Sequence, residues 1–391
     1  MPRSAFGAIG LFAIVVATVI AFVLYRARTV AAIELVDNAR SADELLRRRA
    51  AEPVAVRTRS DDGELELEPL TEADVKQLYG YPDGRQYVFD PWMHYRYQPG
   101  LAVHQTFPEH PDGAFERRAN SLGLRDDHEL APDRDFFVLV TGDSQTDGAC
   151  NNRETFCQRI EDALRAERAG ETIEVLDAGI CGFSFYNYLG ALQRFLPEKP
   201  DACIVAFYPG NDFVGMVRMR HFYARTVPPP RTREYWQQIS RAGKASSSGV
   251  ANALNQLLYF RAYPEELEPA FEAAVRVSRE IQRVARERSI ELLFVCIPVA
   301  FPPDDLAASE LDAIWKELGL TSDDLAHFER LTARFEARLR ELGIDVLDLR
   351  EHFGARLSDS YYSDLHVDVR GQELVARVLL PRVRAWLERR H

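Results

Sequence analysis

Four short stretches carry residue types able to do acyl chemistry. Val140-Thr141-Gly142-Asp143-Ser144-Gln145-Thr146-Asp147-Gly148 sets a serine on a turn flanked by glycines, a geometry that can present a hydroxyl at the rim of a sheet. In Asp177-Ala178-Gly179-Ile180-Cys181-Gly182-Phe183-Ser184 the glycines let a backbone amide approach a ligand closely. Tyr208-Pro209-Gly210-Asn211-Asp212 offers a side-chain amide, and the run from Tyr362 to Gly371 supplies His366 with nearby carboxylates. Each has an ordinary explanation by itself. Gly-Asp-Ser and Gly-Asn-Asp are common turns, and a lone histidine near a helix is more often structural than catalytic. Together they supply a nucleophile, a base with an acid to orient it, and two kinds of oxyanion donor.

The elements that must position them follow from hydrophobic patterning. From Asp135 onward, short apolar runs alternate with amphipathic segments: FFVLV, then a helix near Glu154 to Arg168; IEVLDA, then a helix after Ser184; ACIVAFY, then a long helix near Glu268 to Arg288. ELLFVCIPV, a helix near Asp323 to Leu342, IDVLDL and a last helix from Gly371 to Arg390 complete the series. Five short apolar strands separated by helices predict an α/β fold with a parallel sheet covered on both faces. In such folds the site lies at the carboxyl ends of the strands, which is where the four stretches fall. Between Phe213 and Tyr263 the alternation stops, and the text includes runs of three prolines and three serines. An insertion at a strand's carboxyl end reads either as a lid or recognition element or as a passive surface excursion. No internal repeat is present.

The four stretches, in this order, resemble the four blocks of the SGNH (GDSL-type) hydrolases, which carry Ser, Gly, Asn and His. Gly142-Asp143-Ser144 resembles the first, Gly179 to Ser184 the second, Gly210-Asn211-Asp212 the third and Asp364 to Gly371 the fourth. The likeness spans about residues 135 to 390. Upstream, Asn120-Ser121-Leu122-Gly123-Leu124-Arg125 is similar to the lead-in of membrane-associated members. The resemblance implies a three-layer α/β/α, flavodoxin-like fold around a mostly parallel five-stranded sheet, with no cofactor and no metal. It also implies Ser144 as nucleophile and His366 as general base. The oxyanion would be held by the backbone N–H groups of Ser144 and Gly182 and by the Asn211 side chain. Gly182 is preferred over Gly179 because the family places a small hydroxyl residue two positions after that glycine, as Ser184 is here.

One position departs from the family. The usual acid stands three residues before the histidine, and Ser363 occupies that place; Asp364 stands two before, a spacing similar to that of the alginate-acetylation branch. Asp364 is read as the orienting acid, since a carboxylate on the second ring nitrogen fixes the tautomer and stabilises the imidazolium. Backbone support alone, or a weakened site, are the other readings. Asp143 and Asp212 read as turn and hydrogen-bonding residues, and Tyr208, Phe183 and Tyr186 suit pocket lining and packing equally well.

Before this domain, Ser4 to Tyr25 runs about 22 residues without a charge, long enough to cross a bilayer. Arg26 and Arg28 interrupt before any Ala-x-Ala pattern, which disfavours a cleaved signal peptide, and the stretch is apolar on every face, which disfavours a core helix. The expected organisation is an anchor over 1–28, a charged spacer over 29–85, a lead-in packed on the main domain over 86–134 and the hydrolase domain over 135–391. The membrane is thus an expected partner, with the domain outside the cytoplasm, although Arg3 on one side and Arg26 and Arg28 on the other leave orientation undecided by charge. Protein partners are not legible.

The 391 residues carry 48 Lys and Arg against 60 Asp and Glu, a net charge of −12, which argues against a nucleic-acid binder. The 28% charged and 46% hydrophobic fractions exclude wholesale disorder and fibrous classes. Five cysteines show no zinc-type spacing. Cys203 and Cys296 sit in apolar runs as core residues, whereas Cys150, Cys157 and Cys181 lie in polar, loop-like text that allows one disulfide outside the cytoplasm.

The function expected is a membrane-anchored serine esterase acting on an acetyl or short acyl ester of a glycan or lipid. An O-acyltransferase using the same residues, or a catalytically silent anchored binding or assembly protein of the same fold, are the alternatives.

Overall fold

A computed structural model describes residues 40–51, 68–81, 85–245, 248–300, 315–354 and 356–390. Its centre is a five-stranded sheet of β5 (Phe136–Gly142), β6 (Ile173–Asp177), β7 (Ala202–Phe207), β8 (Glu291–Cys296) and β9 (Val346–Asp348), in the order β6-β5-β7-β8-β9. All four pairings are parallel, so the sheet is wholly rather than mostly parallel. Every residue of β5, β6 and β7 is buried, as continuous apolar runs in a doubly covered sheet require.

Successive side chains leave the sheet on opposite faces. Phe137 and Leu139 of β5, with Cys203, Val205 and Phe207 of β7, join one core layer; Phe136, Val138 and Val140, with Ala202, Ile204 and Ala206, join the other. The first layer is closed by helices Phe185–Phe195, Leu267–Glu287 and His327–Glu341, the second by Phe156–Glu167 and Val369–Arg390. The long helix shows why it packs: Ala270, Ala274, Val277, Ile281 and Val284 recur at three- and four-residue spacing on one buried stripe. The helix expected near Asp323 to Leu342 is divided into Ser322–Leu325 and His327–Glu341.

Strand order reverses at β5, which has β6 on one side and β7 on the other. In an open α/β sheet that reversal opens a crevice at the strands' carboxyl ends. Ser144 follows β5 and Asn211 follows β7, so both stand on its rim.

Two antiparallel hairpins precede the sheet, β1 (Tyr87–Asp90) with β2 (His94–Tyr97) and β3 (Ala102–Thr106) with β4 (Ala114–Arg118). Asp90 closes the first by accepting the N–H groups of Trp92 and Met93, both at 2.9 Å. Tyr95 and Tyr97 are fully buried against the domain, and Tyr95 Oη donates to Cys181 O at 2.8 Å. Further upstream the structure differs from the reading of 29–85 as a spacer. The helix over 40–51 buries Leu45 and Leu46, and the helix Glu72–Tyr79 buries Val75 and Leu78, because each carries apolar residues at helical spacing amid its charges.

The expected span Ser4 to Tyr25 lies outside the described residues; among those described, no helix is long and apolar enough to cross a membrane. All five cysteines are free. Cys150 lies in a loop, as expected, but is buried there; Cys157 is on the inward face of helix Phe156–Glu167, and no disulfide joins either to Cys181.

Candidate active site

The serine turn is built from close backbone packing. A Cβ at Gly142 would strike the Thr146 side chain and come within 2.7 Å of Ala206 O, so only glycine lets β5 turn here beside β7. Ser144 then opens a single helical turn, Ser144–Asp147, in which the Asp143 carboxylate accepts the Gln145 N–H at 2.9 Å. Burial pushes the Asp143 carboxyl up to about 6, against the opposing pull of that N–H and of His366.

His366 reaches the same place from the far end of the chain. Its Nε2 lies 3.0 Å from Ser144 Oγ. The loop carrying it is shaped by Leu365 at φ 67°, by a bond from Tyr362 N to His366 O at 2.8 Å and by an isolated bridge between Tyr361 and Val367. Asp364 bends back on itself: its Oδ1 accepts the His366 N–H at 3.1 Å, and its Oδ2 stands 3.0 Å from His366 Nδ1. That second contact is off the line of the ring N–H, so it acts as an ion pair once His366 is protonated more than as a formed hydrogen bond. Burial works to lower the His366 pKa, but the Asp364 carboxylate, with Asp143 and Asp147 behind it, outweighs burial and leaves it above the ordinary 6.5. Conversely, burial raises the Asp364 carboxyl and the histidine overcomes it, for a net lowering. Ser363, at the family's usual acid position, instead donates its N–H and its hydroxyl to Glu109, at 2.7 and 2.5 Å.

Gly182 and Asn211 line one cavity of about 300 Å³ together with Ser144 and His366. Gly182 has φ +82°, a conformation that suits glycine, and a Cβ there would sit 3.0 Å from Tyr95 Oη. Asn211 caps the helix Asp212–Ala224. Gly179 does not line this cavity; it gives room to Thr146, whose Cβ would lie 2.6 Å from an added Cβ. Asp212 holds the turn, accepting from Tyr188 Oη at 2.9 Å and from Tyr208 N at 2.8 Å. Phe183 borders the cavity, whereas Tyr186 stacks on Tyr223 and Tyr208 packs in the core.

Three sets of residues at this site escaped the sequence reading. Gln145, next to the serine, clamps the histidine loop: its Nε2 donates to Leu365 O at 3.0 Å and its Oε1 accepts from Val367 N at 2.9 Å. Gln372 of the last helix supports it by donating to Gln145 O at 2.9 Å while accepting from Phe156 N at 3.0 Å. Asp147 is gripped from the hairpins by Tyr97 Oη and Arg117 Nη2, each at 2.9 Å, with Arg125 Nη1 at 3.6 Å. Finally, Tyr79 and the arginines 218 and 231 border the cavity from regions read as spacer and insertion. The helical spacing of Asn211, Val214, Gly215 and Arg218 was the one available signal for the insertion's part. Away from the cavity, Cys296, Glu336 and Asp348 come within metal-ligand reach of one another, but Arg340 bonds Glu336 at 3.2 Å and Arg350 bonds Asp348 at 2.8 Å.

No family model matches the chain, and no curated protein does. Among solved structures, an acetylxylan esterase from Geobacillus stearothermophilus is similar at 12% identity, over 65% of this chain and 96% of that one, with a TM-score of 0.38. An alpha/beta hydrolase enzyme from the metagenome of Lake Arreo, Spain, is similar at 14% identity, over 65% and 97%, with a TM-score of 0.37. A psychrotrophic esterase from Pseudoalteromonas sp. gives 13%, 64% and 98%, with a TM-score of 0.35. At such values the likenesses carry no weight beside the geometry of the site itself.

Proposed function

We propose that the chain is a serine esterase of the SGNH type, held at a membrane by its N-terminal segment, with Ser144, His366 and Asp364 as its catalytic residues. The observation that carries the reading is the 3.0 Å approach of His366 Nε2 to Ser144 Oγ at the mouth of a cavity, on the carboxyl edge of a parallel sheet. His366 takes the Ser144 proton as Oγ bonds to the ester carbonyl carbon. The tetrahedral oxyanion is held by the N–H groups of Ser144 and Gly182 and by the Asn211 amide. The carbon–oxygen bond to the alcohol then breaks, and the alcohol leaves with the proton from His366. Water, deprotonated by His366, attacks the acyl-serine, and the acid departs as Ser144 regains its proton.

The substrate is an acetyl or other short acyl ester of a glycan or lipid near the membrane. The anchor rests on the uncharged run Ser4 to Tyr25, and we take the domain to lie outside the cytoplasm. Asp364 beside His366 supports an active enzyme over a silent member of the fold, since the absence of an acid at position 363 is made good from position 364. The test is hydrolysis of p-nitrophenyl acetate by the full-length chain in neutral detergent, compared with its Ser144→Ala form. Loss of activity in the variant is expected; equal rates would contradict the proposal.

A further inference from the structure

The cavity beside Ser144 is electrically unlike the rest of the molecule. The chain carries a net charge of −12, yet the described residues bordering the cavity include two guanidinium groups, Arg218 and Arg231, and no carboxylate. Arg231 is neutralised, since its Nη1 donates to both oxygens of Asp43 at 2.7 and 2.8 Å. Arg218 is not. Its Nη1 donates to Leu78 O, near the carboxyl end of the helix Glu72–Tyr79, and no carboxylate among the described residues ion-pairs with it. Among the described residues, its Nε and Nη2 have no hydrogen-bond partner. The Asp43 carboxylate acts on Arg218 only at longer range, so a half-buried guanidinium borders the cavity with donors that water can fill and that an anionic group can take over.

Helix geometry says where that anion sits. Asn211, Val214, Gly215 and Arg218 share one face of the helix Asp212–Ala224, and all four border the cavity. Seven residues of rise put Arg218 about 10 Å along the axis from Asn211. Its guanidinium, tied to Leu78 O beside the cavity-lining Tyr79, reads the part of the substrate that lies on that side of the cavity.

We infer that Arg218 is a specificity-determining residue that selects esters bearing a carboxylate or phosphate some distance from the scissile bond. This rests on the esterase reading and deepens it. A guanidinium fork matches the paired oxygens of such groups, and a charge-assisted pair in a partly dry site is worth roughly 10- to 100-fold in selection. The anion belongs either to the acyl chain or to the alcohol, and two ester pairs distinguish these. One sets p-nitrophenyl monoesters of adipic and suberic acid against the hexanoate and octanoate; the other sets 4-acetoxybenzoate against its methyl ester.

With the full-length chain in neutral detergent, the anionic member of at least one pair is expected to have a kcat/KM roughly 10- to 100-fold higher. Arg218→Met should abolish that preference while leaving the neutral esters nearly unchanged, which also shows that the variant is folded. No anionic preference in either pair, or one that survives Arg218→Met, would overturn the inference. Should the Met form fail to fold, Arg218→Lys carries the test: it keeps the charge, so a reduced preference that weakens with ionic strength is expected, and indifference to salt counts against the inference. Should the wild type hydrolyse none of the esters, the esterase reading fails by itself. Calorimetric titration of suberate and 4-acetoxybenzoate into the Ser144→Ala form then decides, with Arg218-dependent binding for the inference and no binding against it.

Discussion

His366 Nε2 lies 3.0 Å from Ser144 Oγ although 222 residues separate them in the chain. Ser144 is held by the turn at the end of β5, and His366 by a loop just before the last helix, so the contact depends on the whole sheet closing correctly. The carboxylate of Asp364 and the side chain of Gln145 both hold the histidine of this pair in its place.

Replacing Asp364 by Asn keeps the backbone bond but removes the charge beside Nδ1. A general base works in its neutral form, and the His366 pKa is raised above 6.5, so the acid limb of the wild-type kcat/KM profile should fall above pH 6.5. In the variant burial, which lowers the pKa, is opposed only by Asp143 and Asp147, so the limb should move to lower pH while the plateau drops about 100- to 10,000-fold. A pH series on p-nitrophenyl acetate reads both effects; an unmoved limb would remove Asp364 from its role.

Gln145→Ala should release the histidine loop on both sides of His366. As a positioning residue it acts on turnover, so kcat should fall about 10- to 100-fold with KM changed little, a 1 Å misplacement being enough for the larger loss. Steady-state kinetics separate the two constants. A rise in KM with kcat preserved would assign Gln145 to substrate binding instead.

Arg125 fixes the region behind the serine turn. Its side chain is fully buried, donating to Gly148 O at 2.6 Å, to Asn152 Oδ1 at 3.0 Å and to Cys150 O, with Asp147 at ion-pair distance. Arg125→Met leaves three buried acceptors without their donor and takes a cation away from Asp147, which keeps Arg117 and Tyr97, and from buried Asp177; the expected loss of stability is about 3–5 kcal/mol. Denaturant unfolding of the two forms measures it.

Buried carboxyls give the stability a definite slope with pH. Burial pushes Glu161 up to about 7, and pushes Asp177 and Asp212 well above the usual carboxylate range. Their pKa values are raised on folding, so the folded chain holds protons that the unfolded chain releases near pH 4. Stability from these groups is therefore full at low pH and is lost as pH rises through the folded values. His94 and His327, lowered to about 3 and about 4 by burial, act in the opposite sense, and only below about 6.5. Between pH 8.5 and 6.5 the carboxyls are unopposed, and the unfolding temperature should rise on acidification; a flat or falling temperature would contradict these assignments.

The sheet could be read in the sequence because its strands are doubly buried, so FFVLV, ACIVAF and ELLFVC stand out as apolar runs without alternation. The four site stretches could be read because each follows such a run or precedes the last helix. What could not be read depends on contacts across sequence distance. Gln145 looks like any turn residue until its partners at 365 and 367 are known, and Asp147 reads as a turn acid, yet it answers Tyr97 and Arg117 from the hairpins and Arg125 from the segment after them. The text before residue 85 reads as spacer because charges are interleaved throughout it; Leu45, Leu46, Val75 and Leu78 are nevertheless buried, and the insertion offers polar partners beside them, Arg231 for Asp43 and Phe222 O for Arg49.

The central claim is that Ser144 is an activated nucleophile, and covalent labelling tests it most directly. The full-length chain is treated with a fluorophosphonate, digested and mapped by mass spectrometry, beside its His366→Ala form. One phosphonyl adduct is expected on the peptide containing Ser144, formed far more slowly when His366 is removed. No adduct on Ser144, or equal labelling in the two forms, would contradict it.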